Sequence, residues 1–272
     1  MRIYGVDFTS TPAARKPITC ALGELDGTAL RVRRLQALTS LRAFEQWLAM
    51  PGPWTAGLDF PFSQPRRFIE AMGWPVQWEA LVAHLAGLTR DEFKALIKTY
   101  RDARPPGDKH HPRTVDAKAG SKSPMMVFGV PVGLMFHEGV PRLARAGVSV
   151  VPCRRNDDAR VALEVYPGLA ARTLIGRTPY KNDANKPGEE ARREARASLL
   201  RSLSGGGHPY AVRVSMNRAL RETLIEDAKA DWLDAVLCAV QAAWAVRQGP
   251  GHGVPESIDT LEGWIADPAL YE

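Results

Sequence analysis

Cysteine is scarce in this chain: three among 272 residues, at Cys20, Cys153 and Cys238. They are scattered and odd in number, with no CxxC pair and no Cys/His cluster, which argues against a disulfide framework and against a zinc site. Long apolar runs are missing as well. No stretch approaches the roughly 20 residues needed to span a bilayer, and the N-terminus enters a strand at once, without the layout of a signal peptide. The expectation is a cytoplasmic protein with no membrane partner. There are no internal repeats, and the one low-complexity tract is the glycine triplet Gly205-Gly206-Gly207. Acids are outnumbered, 30 against 36 Lys and Arg, for a net charge of +6. So modest an excess favours anionic partners such as nucleic acid, nucleotides or acidic membranes and identifies none of them.

What is present is ordinary globular composition, 45% hydrophobic and 24% charged, ample for one sizeable core. The opening MRIYGVDFTS reads as a strand ending in a Thr/Ser turn. PITCALGE (17–24) and TALRVRRLQ (28–36) read as two more, joined through Asp26-Gly27, a strong hairpin signal. Leu41, Phe44, Trp47 and Leu48 recur at helical spacing between Ser40 and Met50, and Pro51-Gly52 stops that helix. WTAGLDFPF (54–62) is again a strand. A strand rejoining a sheet through a helix implies a parallel neighbour. Asp7 and Asp59 then fall near the carboxyl ends of adjacent strands, where open α/β sheets place their sites.

Residues 65–103 read as mainly helical, most clearly from Thr89 to Arg104, where Phe93, Leu96, Ile97 and Tyr100 share a face. Residues 104–124 are almost without apolar side chains and carry Lys109, Arg113, Lys118 and Lys122. A loop so long and polar is either a basic flap for phosphates or a solvated segment. Residues 125–146 read as a buried helix, 148–153 and 159–167 as strands, 187–203 as a charged helix, and 231–246 as a helix apolar nearly all round, hence buried. Trp54, Trp232 and Trp244 fall within these elements. Trp74 and Trp78 lie in the 65–146 region, either stacking on bases or packing among its helices.

Several acids stand where a core is expected. Asp7 and Asp59 end apolar strands, Glu164 lies inside ARVALEVYP, and Asp231 and Asp234 open the buried helix. A carboxylate withdrawn from water is expensive unless paired, hydrogen-bonded or metal-bound. Asp231 and Asp234 share a helix face, with Cβ atoms about 5–6 Å apart, and repel each other. Helix capping accounts for one of them better than for both. A divalent cation turns converging carboxylates from mutual repulsion into coordination, and an all-oxygen donor set suits magnesium or manganese.

GVDFTS, GLDFPFSQP, EVYPGLAAR, DWLDAVLCAVQAAW and the EGWI from Glu262 resemble, in order and spacing, the family known as domain of unknown function 429. The resemblance covers nearly the whole chain. It implies an α/β ribonuclease H-like fold: a mixed five-stranded sheet flanked by helices, in a single domain over 1–272, with a helical insertion at about 65–146 after the fourth strand. It also implies a nuclease. In that wider group the first acid lies on the first strand, the second on or near the fourth, and the last on a late helix. Asp7, Asp59, Asp231 and Asp234 match those slots and are the expected catalytic and metal residues. Glu164, from the EVYP motif, is a further catalytic candidate or lines the site.

The expected activity is phosphodiester hydrolysis by a two-metal carboxylate mechanism with Mg2+ or Mn2+ and a DNA or RNA partner. Candidate substrate contacts are Thr9, Ser10, Lys109, Arg113, Lys118, Lys122 and, in PYKND, Lys181. Two rival readings remain. GVDFTST is similar to the first phosphate segment of actin-like and sugar-kinase ATPases, but Phe8-Thr9 replaces the glycine that lets backbone approach phosphate, and no second such segment follows. A non-catalytic nucleic-acid-binding protein on the same fold is the third class.

Overall fold

The computed structural model describes residues 1–182 and 187–271. Strands β1 (Arg2–Asp7), β2 (Ile18–Asp26) and β3 (Ala29–Leu38) form an antiparallel meander. The turn from β2 to β3 passes through Gly27 at φ 53°, a left-handed conformation that carries no Cβ penalty in glycine. Helix α1 (Leu41–Leu48) starts at Ser40, whose side chain accepts the Ala43 amide, and buries Phe44, Trp47 and Leu48. It leads into β4 (Trp54–Asp59), parallel to β1.

Five helices then intervene: α2 (Arg66–Ala71), α3 (Trp78–Ala86), α4 (Arg90–Asp102), α5 (Thr114–Ala119) and α6 (Val132–Ala146). The chain continues through β5 (Ser149–Val151), β6 (Arg160–Glu164), α7 (Pro167–Ile175), α8 (Glu189–Gly205), β7 (Arg213–Ser215), α9 (Arg218–Glu226) and α10 (Asp231–Arg247).

The strands lie in one mixed sheet, in the order β5-β6-β4-β1-β2-β3-β7. Where five strands are expected, this sheet has seven among the described residues. The edge strands β5 and β7 are three residues each; β5 falls within the 148–153 stretch read as a strand, whereas β7 is too short to carry a readable period. β1 and β4 are central and buried along most of their length, as strands covered on both faces must be.

One face packs Phe8, Phe44 and Trp47 together with Phe68, Phe93 and Phe136 from the intervening helices. Those helices therefore share the sheet's core. Trp74 and Trp78 are buried there, the indole of Trp78 donating to the Phe62 carbonyl at 2.8 Å, which is the packing role. The opposite face carries α10, buried from Leu233 through Ala245. No helix among the described residues is long and apolar enough to cross a membrane.

The segment 104–124 is not a loop throughout. Helix α5 forms inside it, and His111, Arg113 and Asp116 are buried. Charge pairing buries Arg113 and Asp116, while Val115 and Ala119 give only a two-residue apolar face against Trp264 and Ile265, too short for hydrophobic periodicity to mark it.

Candidate active site

The site is built on an approach of backbone to backbone. Gly5 and Gly57 are register partners on β1 and β4. A Cβ at Gly5 would stand 1.9 Å from the Ala235 carbonyl oxygen, and one at Gly57 2.4 Å from that of Cys238. Helix α10 thus lies directly on the sheet at these glycines. Side chains two apart on a strand share a face, so Asp7 and Asp59, also register partners, point to the side of α10. The start of α10 is held nearby, since the Thr19 hydroxyl donates to the Asp231 carbonyl at 2.8 Å and Thr19 stands opposite Asp7 on β2.

Capping does not explain the helix acids. The amide of Trp232 is taken by the carboxylate of Asp227 at 3.2 Å, and the cap position is Ala230 in a left-handed conformation. Asp231 and Asp234 face the strand acids instead. Withdrawal from water, then the charge of Asp234, holds the Asp7 carboxyl well above its usual range. Asp59 and Asp231 push the same way and Lys181 opposes them. Asp59 is pushed up to about 7 by burial first and by Asp234 and Glu164, again against Lys181. These shifts report four carboxylates, from three elements, within each other's field.

Lys181 stands among them. Its ammonium is ion-paired with Asp234 and feels Asp7, while Tyr180 donates its hydroxyl to the other Asp234 oxygen at 2.8 Å. The rest of the PYKND motif beyond Asn182 lies outside the described residues. No group of three or more His, Cys, Asp or Glu side chains among the described residues is arranged around a single metal position. The donor chemistry nonetheless fits a hard divalent cation: carboxylate oxygens only, with Asp7 and Asp59 held above their normal pKa by burial and then by the neighbouring Asp234.

The acids open into a cleft of about 560 Å3 that Asp7, Asp59, Asp231 and Lys181 line. Thr9 and Ser10 also line it, and Arg90 fixes Ser10 through its hydroxyl at 3.2 Å and its carbonyl at 3.3 Å. The basic rim consists of Lys16, Lys229 and Arg90, none of them singled out from sequence. Lys229 precedes Asp231 by two residues, a spacing that ties it to the acid slot and could have marked it.

The cations expected from 104–124 go elsewhere. The Arg113 guanidinium is buried, giving both Glu164 oxygens its NH groups (2.8 and 2.5 Å) and pairing with both Asp116 oxygens. Lys118 lies over the Trp264 ring, 5.4 Å from its centroid. Lys109 does not line the cleft. Lys122 reaches a second cavity next to Asp59.

Glu164 is 2% exposed and also accepts the Phe62 amide at 2.8 Å, so protein donors take both of its oxygens. Burial raises its pKa and Arg113 opposes this. Glu262 is engaged too. One oxygen accepts the Arg66 amide at the start of α2 (2.8 Å) and the other the Thr114 amide at the start of α5 (3.0 Å). Asp259 binds the Arg66 guanidinium through both oxygens, and the Ala266 amide donates to the Glu164 carbonyl at 2.8 Å.

The family described as Protein of unknown function (DUF429) matches residues 5–260. No curated protein and no solved structure matches the chain.

Proposed function

This chain belongs to the DUF429 family, and from that premise we propose that it is a metal-dependent nuclease of ribonuclease H-like architecture that hydrolyses phosphodiester bonds in DNA or RNA. One observation carries the reading: Asp7 and Asp59 stand side by side at the carboxyl ends of parallel strands, with Asp234 and Asp231 of α10 turned toward them. First strand, fourth strand and late helix are the slots the resemblance assigns to the acids of such enzymes.

Asp7, Asp59, Asp231 and Asp234 are the residues that would hold Mg2+ or Mn2+, whose chemistry is to polarise the phosphodiester and lower the pKa of a bound water. Asp7 feels all three other acids, which suits it to the shared, central position. The Lys16 and Lys229 ammoniums on the rim attract the phosphate backbone, a contact independent of sequence. Arg90 holds the Thr9-Ser10 turn in place beside Asp7. Lys181 supplies a counter-charge that eases the repulsion among the acids.

The test is cleavage of end-labelled single-stranded and duplex oligonucleotides with Mn2+, with Mg2+ and with EDTA. Cutting that needs the ion and disappears in Asp7→Asn supports the proposal. Cutting that persists in Asp7→Asn at the wild-type rate overturns it.

A further inference from the structure

Next to the acid cleft lies a second cavity, of about 240 Å3. The two share Asp59, Val130 and Met135, so they meet at one of the proposed metal acids. Their linings differ in kind. The second cavity is walled mainly by apolar side chains, among them Phe60, Pro61, Val132, Val165 and Ile265. Arg113, Asp116 and Glu164 also border it, one cation paired with two acids, so together they add no positive charge. That leaves Lys122 and Asp59, one of each sign, at its edge. An anion therefore gains no net attraction there.

Size and chemistry narrow the occupant. A dry apolar cavity of about 150 Å3 already takes a benzene ring, so 240 Å3 accommodates one flat heterocycle and excludes a folded polymer segment. Ligand pockets are mostly apolar with a few polar groups that set orientation. Here Ser121, Lys122 and the half-exposed Tyr166 are in position to do that. One of its lining side chains, Val130, is apolar and 58% exposed.

We propose that this cavity is a nucleobase pocket, receiving the base of the nucleotide whose phosphate lies at Asp7 and Asp59. The inference rests on the nuclease reading and deepens it. A base seated there has left its stack, so the substrate is single-stranded, frayed or a free nucleotide end at that position rather than paired duplex.

The experiment is calorimetric titration of the full chain with adenosine 5′-monophosphate and with ribose 5-phosphate, both in Mn2+, in wild type and in Val132→Trp. Val132 lines this cavity and not the acid cleft, and it lies half-exposed at the first position of α6. Wild type is expected to bind the mononucleotide at least about tenfold tighter than the sugar phosphate, equivalent to about 1.4 kcal/mol. Val132→Trp is expected to erase that advantage while leaving ribose 5-phosphate binding in place.

Equal binding of the two probes by wild type overturns the proposal, and this comparison needs no variant to fold. Retention of the advantage in Val132→Trp overturns it as well. The oligonucleotide assay separates the two readings. Metal-dependent cleavage by a protein that binds the two probes equally removes the pocket alone, and tighter mononucleotide binding without any cleavage removes the nuclease reading alone.

Discussion

Asp7 and Asp59 are register partners on β1 and β4, and each follows, by two residues, a glycine against which α10 rests. The repeated Gly-x-Asp is thus one device used twice. The glycine admits the helix backbone and the acid meets the helix's first turn. Four expectations follow from this site and its surroundings.

Gly5→Ala drives a Cβ into the backbone of α10, 1.9 Å from the Ala235 oxygen. No rotamer relieves a clash with main chain. The expected loss is about 3 kcal/mol or more, seen as a lower midpoint in thermal denaturation. A midpoint within about 2 °C of wild type means that α10 is not seated as described.

Asp59→Asn makes the metal-free protein more stable above neutrality. The folded carboxyl titrates at about 7, against about 3.9 in an unfolded chain. Between those values the folded state keeps a proton that the unfolded state has released. This group's contribution to stability therefore falls as pH climbs from about 4 to about 7 and levels off above. Asn has no proton to lose and escapes the fall. In EDTA the variant's advantage should be near zero at pH 4 and reach on the order of 1–3 kcal/mol above pH 7. An advantage that shrinks as pH rises sinks the assignment.

Lys181→Met removes the cation standing among the acids. Without divalent ions the variant should melt earlier, by roughly 2–6 °C. Its Mn2+ affinity, read by electron paramagnetic resonance titration of free ion, should rise about tenfold or more, because the ion no longer competes with an ammonium. Unchanged affinity means Lys181 does not neutralise the metal acids.

Arg113→Met leaves Glu164 and Asp116 buried without their partner. Removing one member of such a network costs about 3–5 kcal/mol, or roughly 6–20 °C of midpoint. Adding Glu164→Gln should recover part of the loss, a coupling that a double-mutant cycle measures. Strict additivity would mean that the two side chains act independently.

Much of this was legible in the residues. The hairpin at Gly27, α1 with its Ser40 cap, and α10 with its unbroken apolar run each carry a local signal strong enough to read alone. So did the acids of β1, β4 and α10, because a carboxylate at the end of an apolar run stands out against its neighbours. Other features have no such signal. Arg113 looks like any arginine in a polar stretch, and its burial depends on Glu164 arriving from a strand 51 residues away. Lys16 and Arg90 reach the cleft rim from the turn after β1 and from the start of α4, a meeting set by tertiary packing alone. α5 is six residues long, with only Val115 and Ala119 on its apolar face and a charge pair beside them, so periodicity has too little to register.

The contacts of Asp259, Glu262 and Ala266 act as a buckle: a few residues late in the chain fasten the starts of α2 and α5 to the end of β6. A chain cut short near residue 255 would keep every strand of the sheet and still lose the fastening that sets those helices beside it. Shortened fragments of this protein should therefore be judged by how well their cavity walls stay in place, and not by folded content alone.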